Sequence, residues 1–210
     1  MKNKKIIILG GSGIGMMAAN IAEENGHEVI GFLNNEKNKY VGKYKKHIVV
    51  GDLNKIKKFL KYKDVFFSLA FKTMKKERLM WEKYLKLNIP INKFITLIHQ
   101  SAYVPNRYSK IGKGVIICAN ASVGVDVRIG NNSILMPFSY VGHNSVLKKY
   151  VTLANHASIG ARVIIGNAAH VGSNSTIKQG VRIGEFSIIG NSTNVLKNIK
   201  PDTIYFNKIK

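Results

Sequence analysis

From Ile111 to Val195 every sixth residue is Ile, Val or Leu, fifteen times without a slip. Two positions earlier there is always a small or β-branched residue, as at Ser109, Val115, Ala121, Ser133, Ser145 and Thr193. A period of six fits no α-helix, whose faces recur at 3.6 residues. It is the period of a parallel β-helix, in which each six is a short strand plus a turn. Strand side chains alternate, so the aliphatic residue and the small residue two before it share the inward face. The aliphatic residue fills the interior, and the small one sits where the wall bends. Gly follows the aliphatic residue at 112, 124, 130, 142, 160, 166, 172, 184 and 190, and is expected to carry the turn at φ > 0, where a Cβ is penalised. Three sixes make one triangular coil, so fifteen make five. Strands stacked about 4.8 Å apart give a prism roughly 24 Å tall. Residues eighteen apart then lie directly above one another, and the unbroken spacing leaves no long loop projecting from the wall.

The first hundred residues follow another rule. Lys5–Leu9 is an apolar run that reads as a buried strand. Met16, Ala19, Ile21 and Ala22 recur at helical spacing over 15–25, and Gly26 ends that helix. Strands are expected at 28–33, 47–50, 64–70 and 94–98, with a polar loop over 34–42. Asp52 is placed to cap a helix carrying Ile56, Phe59 and Leu60, and 75–87 reads as an amphipathic helix. Alternation of this kind implies a parallel sheet. The chain therefore divides at 1–99, a half-size Rossmann-like nucleotide-binding unit, and 100–210, a β-helix with a short C-terminal extension.

The turn after the first strand is Gly10-Gly11-Ser12-Gly13-Ile14-Gly15. Glycines there let backbone N–H groups approach a phosphate at a helix N-terminus. The pattern departs from G-x-G-x-x-G, since the third glycine falls on Met16. Asn34 and Asn35 stand where an acidic residue would meet a ribose hydroxyl, with Glu36 just behind. So short a unit suits a mononucleotide, such as the nucleotide part of a sugar nucleotide, better than a dinucleotide. A tight turn without a ligand is the alternative.

Lys and Arg number 33 against 11 Asp and Glu, a formal charge of +22. The excess is spread, +12 before residue 100 and +10 after it. The lysines are dispersed and lack aromatic interleaving, which argues against nucleic acid. Such a field suits anionic small molecules, such as nucleotide diphosphates or coenzyme A. The single cysteine, Cys118, excludes a disulfide framework and suits a reducing compartment. The apolar run at the N-terminus is too short for a membrane span or a signal peptide, so a cytoplasmic protein is expected. Cys and His spacings give no metal site.

Taken together, IIILGGSGIG followed by HEVIGFLNN, the junction FITLIHQSAYV over 94–104, and the hexapeptide array with His143 in its middle resemble the PglD/NeuD-like sugar acetyltransferase family. The resemblance covers nearly the whole chain. It implies a left-handed parallel β-helix, a homotrimer with sites between adjacent prisms, and acetyl-CoA as cosubstrate. Within the family, PglD-like members acetylate the 4-amino group of a nucleotide-linked amino-deoxysugar, and NeuD-like members acetylate hydroxyls on sialic acid or related sugars.

His143 lies two residues past the inward Val141, so coil geometry puts it at a corner, pointing outward. An imidazole there can take a proton from an attacking amine or hydroxyl, and the position matches the family's catalytic histidine. Asn144 replaces the family's acidic partner, Met136 a companion seven residues before, and Thr152 a second histidine nine residues on. His156 and His170 are candidates to stand in for that histidine; His170 stacks one coil above Thr152. The alternative for each is a wall residue. Zinc held by three histidines across a seam is the rival in β-helix carbonic anhydrases, but the H-x4-H pair they need is absent. The resemblance runs acetyl-CoA along the seam from His143, where eighteen-residue stacking names Ala161, Gln179 and Lys197. Gly160 leaves room for the pantetheine arm. Lys178, Lys197 and Lys200 are candidates for phosphates, with ordinary solvated lysines as the alternative, and N–H groups at Gly160 and Ala161 for an oxyanion. His99 reads as a junction residue, and His27 and His47 as structural or exposed. The expected activity is N-acetylation of a nucleotide-linked amino-deoxysugar for surface glycan biosynthesis. O-acetylation of sialic acid or another polysaccharide sugar, and a binding trimer without catalysis, stand beside it. An NAD-dependent oxidoreductase would rest on the glycine turn alone.

Overall fold

The computed structural model describes residues 3–11, 13–35, 40–41, 46–70 and 77–207, except the side chains of Glu77 and Met80. The N-terminal unit is an α/β sandwich. Its strands are β1 (Lys5–Leu9), β2 (Glu28–Leu33), β3 (Tyr40–Val41), β4 (His47–Gly51) and β5 (Val65–Leu69). They lie in the order β3-β4-β2-β1-β5, parallel except for β3 against β4. β3 occupies part of the stretch expected as a polar loop. Helix α1 (Gly13–Glu24) covers one face of the sheet with Ala18, Ala19, Ile21 and Ala22. Helices α2 (Ile56–Leu60) and α3 (Glu77–Lys86) cover the other. Asp52 caps as expected, accepting from the Asn54 N–H at 3.0 Å, but the segment it opens is a 3-10 turn over Leu53–Lys55 that leads into α2.

The expected last strand of this unit is split. The Phe94 backbone bridges to Phe67 at the edge of the sheet. Leu97–Ile98, strand β6, instead pairs with Ile116–Ile117 in the prism. One extended segment thus serves two sheets and ties them together.

The prism is a left-handed parallel β-helix of three flat faces, each strand two residues long. Face 1 carries Lys110–Ile111 and its repeats through Arg182–Ile183, and face 3 carries Ser122–Val123 through Asn194–Val195. Face 2 starts on β6, runs from Ile116–Ile117 through Ile188–Ile189, and ends on Ile204–Tyr205, giving seven strands against five on the others. Pairing between the hexapeptide strands of every face joins residues eighteen apart, as in Tyr140↔Ser158 and Thr152↔His170; only the end strands of face 2 depart from this. The aliphatic sixth residues and their small companions form one buried core. The inward serines close the corners. Ser133 Oγ donates to Lys148 O at 3.1 Å and accepts from Val151 N at 3.1 Å, and Ser145 does the same two hexads further on, toward Gly160 O and Val163 N.

One expectation fails. The glycines after the aliphatic residue do not hold the positive φ. That conformation falls two positions further on, at Asn120, Asp126, Asn132, Phe138, Asn144, Tyr150, His156, Arg162, Ala168, Asn174, Gly180, Phe186 and Ser192. The glycines are there because the next coil passes too close for a side chain. A Cβ on Gly142 would lie 2.6 Å from the Ala161 N, and one on Gly160 2.6 Å from the Gln179 N.

The two units grip each other over face 2 and the corner between faces 1 and 2. α1 shares a buried cluster with Ile116, Cys118 and Ile134, and the Asn25 side chain donates to Ile98 O at 3.1 Å. α3 lies along the corner column Tyr150, Ala168, Phe186. Trp81 meets Tyr150 and Phe186 edge-on at 4.7 and 6.0 Å, and Tyr84 stacks on Tyr150 at 5.3 Å. Arg78 lies over Phe186 and forks onto Asp202.

Candidate active site

His143 is exposed at the corner between faces 3 and 1. Asn144 takes the left-handed conformation there, φ 59°, one that asparagine adopts readily. This turns the Asn144 Oδ1 to within 2.6 Å of His143 Nδ1. With the amide oxygen toward the ring, Nδ1 is the donor of this contact, and in the neutral imidazole Nε2 is then the acceptor. A side chain that orients an imidazole and leaves its other nitrogen basic is what general-base chemistry requires.

The column above His143 follows the stacking rule. Arg162 N–H donates to His143 O, and Gly180 N–H to Ala161 O. Gly160, Ala161, Lys178, Gln179 and Lys197 therefore line one edge of the prism, with both lysines and Gln179 exposed. The expected pair of oxyanion donors reduces to one. Gly160 N–H is spent on Ile177 O at 2.9 Å, because it sits in the hydrogen-bonded ladder. Among the described residues the Ala161 N–H has no acceptor. Ser145, passed over by sequence reading, donates to Gly160 O at 3.0 Å. That fixes the peptide plane to which the Ala161 N–H belongs. Its signal was available, as a hydroxyl at an inward corner one residue past Asn144.

The candidate second histidines are elsewhere. Thr152 and His170 are on face 2, and Thr152 is buried. In a triangular section that face is opposite the corner of His143. His156 occupies the corner between faces 2 and 3 at φ 58°, its ring stacked parallel on Phe138 at 4.9 Å. Met136 packs against the cluster under α1. His99 holds the junction, accepting from Ser101 N at 3.1 Å and pairing its Nε2 with Glu24 at 3.2 Å. His27 is buried, and desolvation lowers its pKa from 6.5, with help from Lys4. Burial likewise pushes the Cys118 thiol up to about 11.

The glycine turn lies at the C-terminal end of the central strand β1, where the strand order reverses and open α/β sheets take their ligands. Gly10 N–H donates to Leu33 O. Gly11 approaches Asn34 so closely that a Cβ would lie 2.7 Å from its Nδ2. Gly13 and Ile14 open α1. Asn35 is committed, its Oδ1 accepting from Leu53 N at 3.2 Å. Ser12 and Glu36 fall outside the described residues. Between α1 and the prism is a cavity of about 330 Å³ lined by Met16, Met17, Asn20, Ile21, His99, Cys118, Ala119 and Pro137. No sequence pattern announces it, since its walls come from four separate stretches of chain. Among the described residues, no group of three His, Cys, Asp or Glu is placed to hold a metal ion, and no helix is long and apolar enough to cross a membrane.

Two protein families match the chain. Residues 5–78 match the PglD N-terminal domain, and residues 126–161 the bacterial transferase hexapeptide (six repeats). No curated protein matches it in sequence. Among solved structures, the acetyltransferase domain of PglB from Neisseria gonorrhoeae superposes with a TM-score of 0.84 at 23% identity, over 99% of each chain. A mutant perosamine N-acetyltransferase from Caulobacter crescentus, bound to CoA and GDP-perosamine, superposes at 0.83 and 21%, over 94% of this chain and 91% of that one. WeeI from Acinetobacter baumannii gives 0.67 and 18%, over 98% of each.

Proposed function

We propose that this chain, which carries the PglD N-terminal domain followed by the bacterial transferase hexapeptide, is an acetyl-CoA-dependent N-acetyltransferase acting on the amino group of a nucleotide-linked amino-deoxysugar. The resemblance read from the glycine turn, the junction and the hexapeptides is the one these two families express. The observation that carries the activity is the His143–Asn144 bond, which orients the imidazole at an exposed corner.

Acetyl-CoA supplies the thioester carbonyl that the sugar amine attacks. His143 Nε2 takes the amine proton as the C–N bond forms. The Ala161 N–H faces the developing oxyanion. As the C–S bond breaks, the imidazolium returns the proton to the leaving sulfur. Gly160, Gln179, Lys178 and Lys197 line the edge along which the cosubstrate extends, and the lysines suit its phosphates. Gly10, Gly11, Ser12, Gly13, Ile14 and Asn34 hold the nucleotide of the acceptor at the start of α1. Two features support a homotrimer with the site in its seam. The outward row of face 3 is Ser122, Tyr140, Ser158, Thr176 and Asn194, uncharged in a chain of +22. It also ends at the His143 corner. Such a protein would work in the cytoplasm, on surface-glycan precursors.

The test uses the purified protein, acetyl-CoA and a panel of nucleotide-linked amino sugars and free hydroxyl sugars, with released CoA thiol as the readout. Transfer to an amino sugar is expected. His143→Ala is expected to lower kcat by about 10²–10⁴, and wild-type kcat in that variant would end the assignment. The neutral Asn144 keeps O-acetylation of a sugar hydroxyl as the second reading, and transfer to the hydroxyl sugars alone would favour it.

A further inference from the structure

Left-handed backbone suits Asn, Asp and Gly, and disfavours bulky side chains. The corners of the prism break this rule with five large residues, Phe138, Tyr150, His156, Arg162 and Phe186, all between φ 57° and 61°. Four of them have a use inside the fold. Tyr150 and Phe186 are covered by Trp81, Tyr84 and Arg78 of α3, and Phe138 and His156 stack on each other. Arg162 has none. It is exposed, and among the described residues its guanidinium makes no ion pair and lies over no aromatic ring. The carboxylate of its own corner column, Asp126, is two rungs below, with Asn144 between them. A large residue held in a disfavoured conformation that the fold itself does not use points to a task outside the fold.

Its place says which task. Arg162 follows Ala161, whose N–H is the candidate oxyanion donor, and its own N–H donates to His143 O at 2.9 Å. A cation here stands beside the base, not at the far end of the site, and that separates the two anionic substrates. In acetyl-CoA the pantetheine arm lies between the thioester and the phosphates. A cosubstrate extended along Ala161, Gln179 and Lys197 carries its phosphates to the top of that column, three rungs or about 14 Å from His143. In a nucleotide-linked 4-amino sugar only the pyranose ring lies between the amine and the diphosphate on C1. With that amine at His143 Nε2, the diphosphate is within the length of an arginine side chain from the same corner.

We propose that Arg162 is a specificity residue for the acceptor: its guanidinium forks onto the diphosphate that joins nucleotide to sugar, in the same chain whose His143 takes the amine proton. This rests on the transferase reading above. Arginine suits the task because its planar fork matches two phosphate oxygens and its charge is permanent. The contact selects a nucleotide-linked amino sugar over the free one, and it leaves the phosphates of the cosubstrate to the lysines further up the prism.

The test compares Arg162→Asn, which removes the cation and gives the corner a residue that suits it, with Arg162→Lys, which keeps the charge and loses the fork. The acceptors are UDP- and GDP-linked 4-amino-deoxysugars and the methyl glycoside of the same amino sugar, which has no phosphate. Arg162→Asn is expected to raise KM for the linked acceptor on the order of tenfold, with Arg162→Lys between it and wild type. The contact is made equally in ground and transition states, so kcat, KM for acetyl-CoA and kcat/KM for the methyl glycoside are expected to stay within about twofold. Relief of the backbone is expected to raise the Tm of Arg162→Asn by about 2–4 °C. An unchanged KM for the linked acceptor, an equal loss with the methyl glycoside, a rise confined to acetyl-CoA, or a melt below wild type overturns the proposal. If wild type transfers no acetyl group to any acceptor, the transferase reading falls, and calorimetry with the UDP-linked sugar, the GDP-linked sugar and CoA decides Arg162 separately. A tenfold loss in Arg162→Asn for a linked sugar alone upholds the contact, and equal behaviour of the two proteins, absence of binding included, overturns it.

Discussion

Two serines separate the hydrogen bonds of the prism from its packing. Ser145 and Ser139 hold the same position in successive hexads, and both are buried to within 1%. Ser145 Oγ donates to Gly160 O at 3.0 Å and accepts from the buried Val163 N–H at 3.1 Å. Ser139 Oγ has no partner among the described residues. Replacing either by Ala removes the same atom, so the packing loss is common to both. Ser145→Ala in addition strands a buried N–H and a partly buried carbonyl. An unpaired buried group costs about 1–3 kcal/mol, so the net loss is about 2–3 kcal/mol. For a chain of this size that lowers Tm by about 4–12 °C. Ser139→Ala discards a hydroxyl that was buried unpaired, and is expected within about 0.5 kcal/mol of wild type or above it. Both melts are to be run at one protomer concentration, because association shifts the apparent stability. The proposed chemistry adds a second readout. Ser145 pins the carbonyl of the peptide whose N–H belongs to Ala161, so its loss is expected to lower kcat about tenfold, less than the 10²–10³ of deleting an oxyanion donor outright. Equal Tm shifts for the two serines would refute the hydrogen-bond account. An unchanged kcat in Ser145→Ala would refute the role of the peptide.

Two further outcomes follow from charge. Asn144→Asp keeps a residue that tolerates φ 59° and puts a carboxylate against Nδ1, which favours the imidazolium; the acid limb of kcat/KM is expected to move to higher pH, and an unmoved profile would leave Asn144 as corner filler only. His27 has its folded pKa lowered from 6.5 by burial, so the unfolded chain binds the proton more tightly. The stability this group contributes is present above pH 6.5 and lost as the pH falls through the lower folded value. The urea midpoint is expected to fall on acidification, and by less in His27→Gln.

The prism was legible because its physics is periodic. A buried position recurring every six residues leaves one architecture, and the eighteen-residue rule then placed Ala161 and Gln179 over His143 without error. The glycine error shows where period stops being enough. Gly142 and Asn144 are both corner residues, and sequence alone does not say which one turns and which one yields space to the coil above. That depends on Ala161 N lying 2.6 Å from an absent Cβ. The junction was misread for a related reason. Phe94–Ile98 is strand-like throughout, but whether Leu97 pairs with the first sheet or with Ile116 is settled by what lies beside it. Phe138 under His156 was within reach, since they are eighteen apart. The cavity beside them was not, because α1, the junction and the first two coils meet there only after folding.

The shape of the prism also limits what one chain does by itself. His143 points away at one corner. The face opposite carries Thr152 and His170, and it is the face on which the N-terminal unit packs. The glycine turn, the apolar cavity and the Phe138–His156 stack all lie on the side of that unit. In a single protomer His143 and the Phe138–His156 stack therefore flank face 3 at two different corners. A side chain at a corner reaches an acceptor held near a different corner only when a second prism is set beside the first at the same height. Parallel association about a threefold axis does this, because rotation about the prism's long direction changes which corners meet but not their level. On the proposed reading catalysis requires assembly, and substitution of Tyr140 or Ser158 on the uncharged face 3 by a charged residue is expected to lower both the assembled fraction, followed by light scattering, and kcat.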